Sequence, residues 1–464
     1  MAIVEDITAE TEAESSTQAS KQDLISDVER LTAQLQVPAG LVPGFMAAQD
    51  ESGLSLCRLK ASRILRDVAK SIDNTTWQEL EAEDQFRLME NVIRLNGNDP
   101  WSSLEMRSIV NDILPRLSPA IPLLILSKLK PYFASHPSLS SASRALSRPI
   151  GGQDSTIDLH DVQPFKDPSA WGIPNLLSFA VCRITPAEVE KNIGLILPPT
   201  LILMDDWEPL YRLRGAQILE QWMDKIDSEM MKRMGIDKLL INSLIHTISL
   251  QSNPPLKGVL DITVKLIDKC TVEYSKERTE WYCGIVEKGI IQGWLYAPSG
   301  LEGRAVLIHV NEMLGLFCEL MGTGIIRWLK NIIPNLLQPL QYPPTRVVLP
   351  HYHSNLSTLL LVMQTMKKTG RLGRWRGQIL NILCRLWVQL KDRRGIVSFP
   401  DDDDAEEGDD AARGHDPETD IQSLIKRIFA ELADQIPSVK EEEYPRLLKL
   451  DPVLFGDLVS TSTP

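Results

Sequence analysis

The stretch LILMDDWEPLYRLRGAQILEQWMDKI, residues 201–226, predicts two helices that pack together across a short turn. The apolar run LILM indicates a helix that ends at Asp205 and Asp206, and we expect the prolines at 198–199 to stop whatever precedes it. A second helix is expected to begin around Pro209, because proline is tolerated in a first helical turn. Either aspartate can accept hydrogen bonds from the free N–H groups of that turn.

The second helix has one apolar face, formed by Tyr211, Gly215, Ile218, Leu219, Trp222 and Ile226. Glycine costs roughly 1 kcal/mol relative to alanine inside a helix. We therefore interpret Gly215 as the point of a close helix crossing. Arg212 and Arg214 are expected to point away from the centre of this face and to reach aspartates of neighbouring turns.

The alternative interpretation makes Asp205 and Asp206 a general acid and base. Adjacent residues at a helix boundary point in different directions, and no nearby His, Cys or Ser completes a catalytic arrangement. The sequence therefore favours a structural turn, and we predict neither enzymatic activity nor a cofactor.

Apolar residues recur at helical spacing along nearly the whole chain, with proline-rich breaks and almost no alternating strand pattern. The pattern predicts helices of about ten to twenty residues separated by short breaks. Such an arrangement is typical of repeat proteins, and about nine HEAT-type helix pairs of about 42 residues each would fit. The sequence predicts an all-α fold, a HEAT/armadillo-like helical-repeat solenoid.

Composition divides the chain into six predicted segments. Three of them interrupt the helical rhythm because they are acidic or rich in Ser, Pro and Gly. The segments are an acidic disordered N-terminus (1–19), N-terminal helical repeats (20–135), a Ser/Pro/Gly-rich loop (136–170), central HEAT-like repeats (171–394), an acidic disordered insertion (395–420), and a C-terminal helix and tail (421–464).

The net charge of -13 is concentrated in one tract. Residues 401–420 hold eleven acids and one arginine, a local charge of -10, so the rest of the chain is close to neutral. Six scattered cysteines without ligand spacing indicate a reducing, intracellular compartment. The uncharged stretch 239–256 contains many polar residues and two prolines, and we expect no transmembrane segment.

A basic segment precedes the acidic tract. Residues 367–394 carry a net charge of +8, and the acids begin seven residues later. The basic residues can form a solvated helix face, associate with the acidic tract, or bind an acidic partner or nucleic acid. The residues of the possible interaction face are Lys367, Lys368, Arg371, Arg374 and Arg376.

Two histidines are weak metal candidates. His351 and His353 in LPHYHSN have no third ligand nearby, and a loop before the helix NLSTLLLVMQTM explains them. Cys270 and Cys283, together with His246, are equally unconvincing as metal ligands, since free cysteines commonly behave as small buried hydrophobes. We predict no metal site.

The segment LMDDWEPLYRLRGAQIL also resembles a family signature: an apolar run, two aspartates, an aromatic residue, then a basic residue, arginine and glycine before an apolar helix. The residues that carry the resemblance are Asp205, Asp206, Trp207, Arg212, Arg214 and Gly215. It is similar to the Tti-two family, whose members belong to the TTT (Tel-two, Tti-one, Tti-two) co-chaperone complex.

The resemblance implies a non-catalytic α-solenoid with Tti-one and Tel-two as partners. It also implies a contribution to Hsp90-dependent maturation of phosphatidylinositol-3-kinase-like kinases and to telomere maintenance, in the cytoplasm and nucleus. The alternatives are another helical-repeat adaptor, such as a transport or ribosome-assembly scaffold, and a nucleic-acid binder that uses residues 367–394.

Overall fold

The computed structural model describes residues 21–41, 51–73, 75–133, 163–393 and 417–459. Within these ranges the regular structure is α-helix, short 3-10 segments and two π segments, and no strand occurs. The predicted all-α fold is confirmed, whereas the repeat architecture stays a prediction. The chain forms two compact units, divided between Ser243 and Leu244.

The first unit is built from helices α1 to α11 and the start of α12. Its main helix pairs are α2 with α5, α4 with α7, α6 with α7, α7 with α10, and α9 with α10. The bounds are α1 (21–32), α2 (Glu51–Ser71), α3 (Thr75–Gln78), α4 (Ala82–Arg94), α5 (Leu104–Ile113), α6 (Ile121–Lys128), α7 (Ile173–Arg183), α8 (Pro186–Lys191), α9 (Ile193–Met204), α10 (Pro209–Met223), α11 (Ser228–Met234) and α12 (Ile236–Ser249).

The second unit contains the end of α12 and helices α13 to α22. Helix α18 packs against both α16 and α20, and α19 also contacts α20. The bounds are α13 (Val259–Cys270), α14 (Lys276–Ile285), α15 (Gln292–Tyr296), α16 (Leu301–Met321), α17 (Leu329–Leu337), α18 (Leu349–Met366), α19 (Arg376–Arg393), α20 (Pro417–Gln435), α21 (Tyr444–Leu450) and α22 (Pro452–Val459).

Ordered structure extends into two segments for which the sequence predicts loops. Residues 163–170, assigned to the 136–170 loop, contain two 3-10 turns with Phe165 and Ala170 buried. Residues 417–420, assigned to the acidic insertion, form the first turn of α20. The predicted disordered segment 1–19 and the acids at 401–416 lie outside the described residues. The division into predicted segments therefore stays a prediction.

Helix α9 runs through Pro198 and Pro199 instead of starting after them, which contradicts the expectation that these prolines stop the preceding element. Each proline removes one hydrogen bond to the residue four positions earlier. Those residues, Gly194 and Leu195, lie in the first turn and are exposed or half-buried, so water can reach their carbonyl groups. The rest of the helix is almost entirely buried, and this packing outweighs the lost bonds.

The close crossing expected at Gly215 is present between α9 and α10. A Cβ atom at Gly215 would lie 2.6 Å from the backbone N of Met204 and 2.9 Å from the backbone C of Leu203. Real carbon atoms do not approach a backbone so closely, so this position excludes any side chain. Further along the crossing, Trp222 Nε1 donates to Thr200 Oγ1 at 3.3 Å, and both residues are buried.

By length and composition alone, the stretch Gly303–Gln341 is long and apolar enough to span a membrane, with a mean hydropathy of 1.4. The bent pair formed by Leu104–Arg116 and Ile121–Tyr132 is also long and apolar enough when its two segments are taken together. The first stretch contains α16, which packs against α18. Buried Asn311 in α16 donates through Nδ2 to Asn355 Oδ1 of α18 at 2.6 Å. These are the contacts of a helix in a protein core, and the absence of a transmembrane segment stays a prediction.

Replacing Gly215 with alanine should destabilise the protein by about 1–3 kcal/mol, because the added methyl group overpacks the crossing. The matched control is Gly194→Ala in α9, where a Cβ atom would meet nothing within 4 Å. That substitution should be neutral or stabilise by up to about 1 kcal/mol through higher helix propensity. Urea unfolding measures both free energies, and equal effects would contradict the crossing.

Candidate functional site

The two aspartates of the signature lie at the turn between α9 and α10 and have different partners. Asp205 Oδ1 accepts a hydrogen bond from Ser243 Oγ at 2.6 Å. Asp206 Oδ1 accepts one from the backbone N–H of Glu208 at 2.8 Å, immediately before α10. Asp205 therefore ties the turn to α12, and Asp206 orders the start of α10.

Lys166 forms ion pairs with two buried carboxylates at this turn. Its Nζ lies 2.8 Å from Asp206 Oδ1 and 3.0 Å from Glu208 Oε1. Asp206 is 2% exposed and Glu208 is 9% exposed, so both carboxylates have lost most of their hydration. Burying a charge is costly unless it is paired and hydrogen-bonded. The turn therefore depends on a cation supplied from forty residues earlier in the chain.

Aromatic rings surround the Lys166 ammonium group. Its Nζ lies 4.9 Å from the centroid of the Trp207 ring and 5.2 Å from that of Tyr211, within the range of a cation–π interaction. Phe165 contacts Tyr211 edge to face, with centroids 5.1 Å apart. Burial, followed by the charges of Glu208 and Asp206, raises the pKa of Tyr211 well above its usual value.

Arg212 points inward, contrary to the expectation that it faces away from the centre of the helix. It is buried, and its Nη1 donates to the backbone carbonyls of Asp206 at 3.2 Å and Trp207 at 2.7 Å. Burial lowers the pKa of Arg212, while the charge of Asp206 opposes that shift. Arg212 turns inward because the backbone carbonyls of Asp206 and Trp207 have no hydrogen-bond donor within a helix. The guanidinium group of Arg212, in the first turn of α10, supplies the N–H groups that these carbonyls need.

Arg214 does reach an aspartate, but one from a distant part of the sequence. Its Nη2 lies 3.7 Å from Asp99 Oδ2, between α4 and α5. Asp99 Oδ2 also accepts from Asn175 Nδ2 at 2.6 Å, and the same amide donates to the backbone carbonyl of Arg94. Arg214 therefore joins α10 to the segments around α4 and α7.

A cavity of about 230 Å³ opens beside the Arg214–Asp99 pair. Its wall includes Trp101, Trp171, Tyr211 and Arg214, together with Leu210 at the start of α10. Trp207 and Leu210 are each 58% exposed next to the buried ion pairs. The buried groups hold the turn, and the exposed apolar groups present a surface to solvent.

The arrangement is suited to structural support and not to acid–base chemistry. Asp206 and Glu208 share one cation, Asp205 is held by Ser243, and Arg212 is used on backbone carbonyls. A general base needs access to the proton that it abstracts. The geometry therefore favours the structural interpretation of the signature over the catalytic one.

The basic residues predicted as an interaction face lie in and around the turn between α18 and α19, here called the basic turn (residues 367–376). Its first residue, Lys367, has Nζ 2.5 Å from Asp434 Oδ2 and 3.7 Å from Glu431 Oε1, both in α20. Its last, Arg376, donates through Nε to Glu443 Oε1 at 3.1 Å. Lys368, Arg371 and Arg374 are exposed and have no acidic partner among the described residues.

His351 and His353 both lie within α18, and not in a loop before it as expected, because the helix already begins at Leu349. His351 is buried, whereas His353 is exposed. Burial, followed by the charge of Arg304, lowers the pKa of His351 to about 4. Cys270 is buried, Cys283 is half-buried and both are free thiols, while His246 is exposed. Among the described residues, no group of three or more His, Cys, Asp or Glu could hold a metal ion.

Comparison with known protein families gives one match. The model described as the Tti2 family, called Tti-two above, matches residues 90–346, which is more than half of the chain. The matched range includes the turn between α9 and α10 and its partners Asp99 and Lys166, but not the basic turn. No curated protein matches the chain.

Replacing Lys166 with methionine should destabilise the protein by about 3 kcal/mol, because it leaves two buried carboxylates without a cation. The control is Lys232→Met, which removes an exposed pair with Glu229 and should cost no more than about 0.5 kcal/mol. Urea unfolding measures both. The triple variant Lys166→Met, Asp206→Asn, Glu208→Gln should be more stable than Lys166→Met alone, because it removes the two unpaired buried charges. If the triple variant is no more stable than the single variant, the burial of charge is not the cause of the lost stability.

The buried imidazole of His351 predicts a loss of stability in acid. Its folded pKa of about 4 lies below the ordinary histidine value of 6.5, so the unfolded chain binds the proton more readily. The contribution of His351 is therefore complete above about pH 6.5 and falls as the pH decreases towards 4. His351→Gln should lose less stability than the unmodified protein between pH 7 and pH 5 in urea unfolding. His353→Gln, on the exposed side of α18, is the control, and an identical pH dependence of the two variants would contradict this assignment.

Proposed function

Because the chain belongs to the Tti2 family, we propose that it is a non-catalytic scaffold subunit of the TTT co-chaperone complex. Tti-one and Tel-two are its proposed direct partners. In this role it supports the Hsp90-dependent maturation and stability of phosphatidylinositol-3-kinase-like kinases, in the cytoplasm and the nucleus, and thereby telomere maintenance.

The observation that carries the proposal is the use of the signature residues within the matched range. Asp206, Arg212 and Arg214 are all engaged in contacts within the first unit. A scaffold needs a stable surface and no reacting group. The family match also favours this complex over a transport or ribosome-assembly adaptor, since it points to one assembly.

A surface suited to a partner lies next to this support. Trp207, in the turn before α10, and Leu210, in its first turn, are exposed, and Leu210 lines the 230 Å³ cavity. Tryptophan is enriched among the residues that dominate binding energy at protein interfaces. We place the contact with another TTT subunit at this exposed pair.

Depletion of the protein should lower the steady-state levels of several phosphatidylinositol-3-kinase-like kinases together without changing their messenger RNAs, because a maturation defect acts on the proteins. Quantitative immunoblotting and transcript measurement separate the two levels. Re-expression of the unmodified protein should restore the kinases, and normal kinase levels after depletion would leave only a general adaptor role.

The double variant Trp207→Ala, Leu210→Ala should not restore the kinases and should recover less Tti-one and Tel-two on co-purification. The matched control is Leu450→Ala, Val453→Ala, which truncates two exposed apolar residues outside the matched range. Melting temperatures identify any variant that is merely unstable. Full recovery of both partners by a folded Trp207/Leu210 variant would exclude this face while leaving the scaffold role intact.

A further inference from the structure

The basic turn combines paired cations at its ends with unpaired cations between them. Lys367 is held by Asp434 and Glu431, and Arg376 is held by Glu443. Between them, Lys368, Arg371 and Arg374 are exposed and have no acidic partner within the described ranges. The cations at the two ends are therefore engaged by acids, whereas the three middle cations remain available to another molecule.

The backbone of the basic turn is held in place by contacts that do not involve the side chains of Lys368, Arg371 and Arg374. Leu372 is buried beneath the turn. Thr369 Oγ1 donates to the Met366 carbonyl at 2.7 Å, and Gly370 takes the left-handed conformation with φ of 64°. An ordered backbone reduces the conformational entropy that the turn loses when it binds a partner.

The acidic tract of the same chain is attached far from the basic turn. Helix α19 begins at the turn and ends at Arg393, so its two ends are about 26 Å apart at 1.5 Å per residue. Helix α20 has its C-terminal end at the turn, since Asp434 contacts Lys367, so Pro417 also lies about 26 Å from that end. Both attachment points of residues 394–416 are therefore at the distant ends of these helices.

The covalent reach of the chain then limits contact between the two charged segments. Asp401 is eight residues beyond Arg393, and eight residues span at most about 27 Å when fully extended. Asp410, seven residues before Pro417, has still less reach, so the two ends of the acidic tract meet the turn only through a nearly extended chain, with a loss of conformational entropy. The acids between them reach further, since Glu406 is eleven residues before Pro417 and eleven residues span up to about 36 Å. The middle of the tract is therefore within reach of the turn, and whether it occupies the turn is tested below by deletion.

We propose that Lys368, Arg371 and Arg374 form a docking site for an acidic segment of a partner protein. The neighbouring carboxylates Glu431, Asp434 and Glu443 limit the positive patch to three cations. A nucleic acid backbone carries phosphates at regular spacing and would meet these acids beyond the turn. A short acidic peptide can place a few carboxylates on the cations and end there. The site lies outside the matched range and is independent of the proposed scaffold role.

The test uses the purified full-length chain and a labelled acidic peptide of sequence DDDDAEEGDDAA as the probe, with fluorescence anisotropy at low and physiological salt. Binding should weaken with salt, because exposed charge pairs are screened over roughly 8 Å at physiological ionic strength. The variant Lys368→Gln, Arg371→Gln, Arg374→Gln should bind roughly tenfold more weakly at low salt, since it removes three exposed charge contacts.

The matched control is Lys257→Gln, Lys288→Gln, Arg346→Gln, which removes three exposed cations elsewhere in the second unit and changes the net charge equally. Equal losses in the two variants, or no binding by the unmodified chain, would overturn the proposal. Deletion of residues 401–412 should leave peptide affinity within about twofold, and a large gain would show that the chain's own tract occupies the turn. Tighter binding of polyuridylic acid than of the peptide, lost in the basic-turn variant, would make the surface a nucleic-acid site instead.

Discussion

The contact that the first unit depends on most is the close approach of α10 to α9 at Gly215. With no side chain at this position, the backbone of α10 lies against that of Met204 and Leu203. This closeness brings Trp222 within hydrogen-bonding distance of Thr200. It also keeps the connecting turn short, so that Asp205 and Asp206 have fixed positions at the ends of two packed helices. The polar contacts of the turn are a consequence of this backbone geometry.

The turn shows how a buried charge is retained in an apolar environment. Asp206 orders the start of α10, but its buried negative charge requires a compensating cation. Glu208 adds a second buried negative charge at the same place. Lys166 provides it, while Arg212 satisfies the carbonyl groups of the same turn. Five of the residues that carry the family resemblance, Asp205, Asp206, Arg212, Arg214 and Gly215, are therefore explained by structural support. The sixth, Trp207, also lies over Lys166 but is exposed, and with Leu210 it is available for binding.

The sequence predicts the local part of this arrangement and misses the distant part. Helical spacing, the helix boundary at Asp205–Asp206 and the crossing at Gly215 follow from nearby residues. Lys166 has no local signal, because it lies in a segment that composition assigns to a loop, forty residues from its partners. The inward direction of Arg212 depends on carbonyl groups whose exposure a sequence does not reveal. In the same way, the acidic tract follows the basic segment in sequence, yet α19 carries the chain away from the basic turn.

The forty residues between Lys166 and Asp206 also bear on the order in which the first unit assembles. Gly215 and Met204 are eleven residues apart, and closing the longer loop costs about 1 kcal/mol more conformational entropy. The crossing of α9 and α10 can therefore form while Asp206 and Glu208 are still hydrated. Desolvation of these carboxylates becomes favourable only after the segment that carries Lys166 arrives. We expect the ion pairs to close over a helix hairpin that already exists, which makes them a late step of folding and not its nucleus; φ-values measured at Gly215 and Lys166 would decide this.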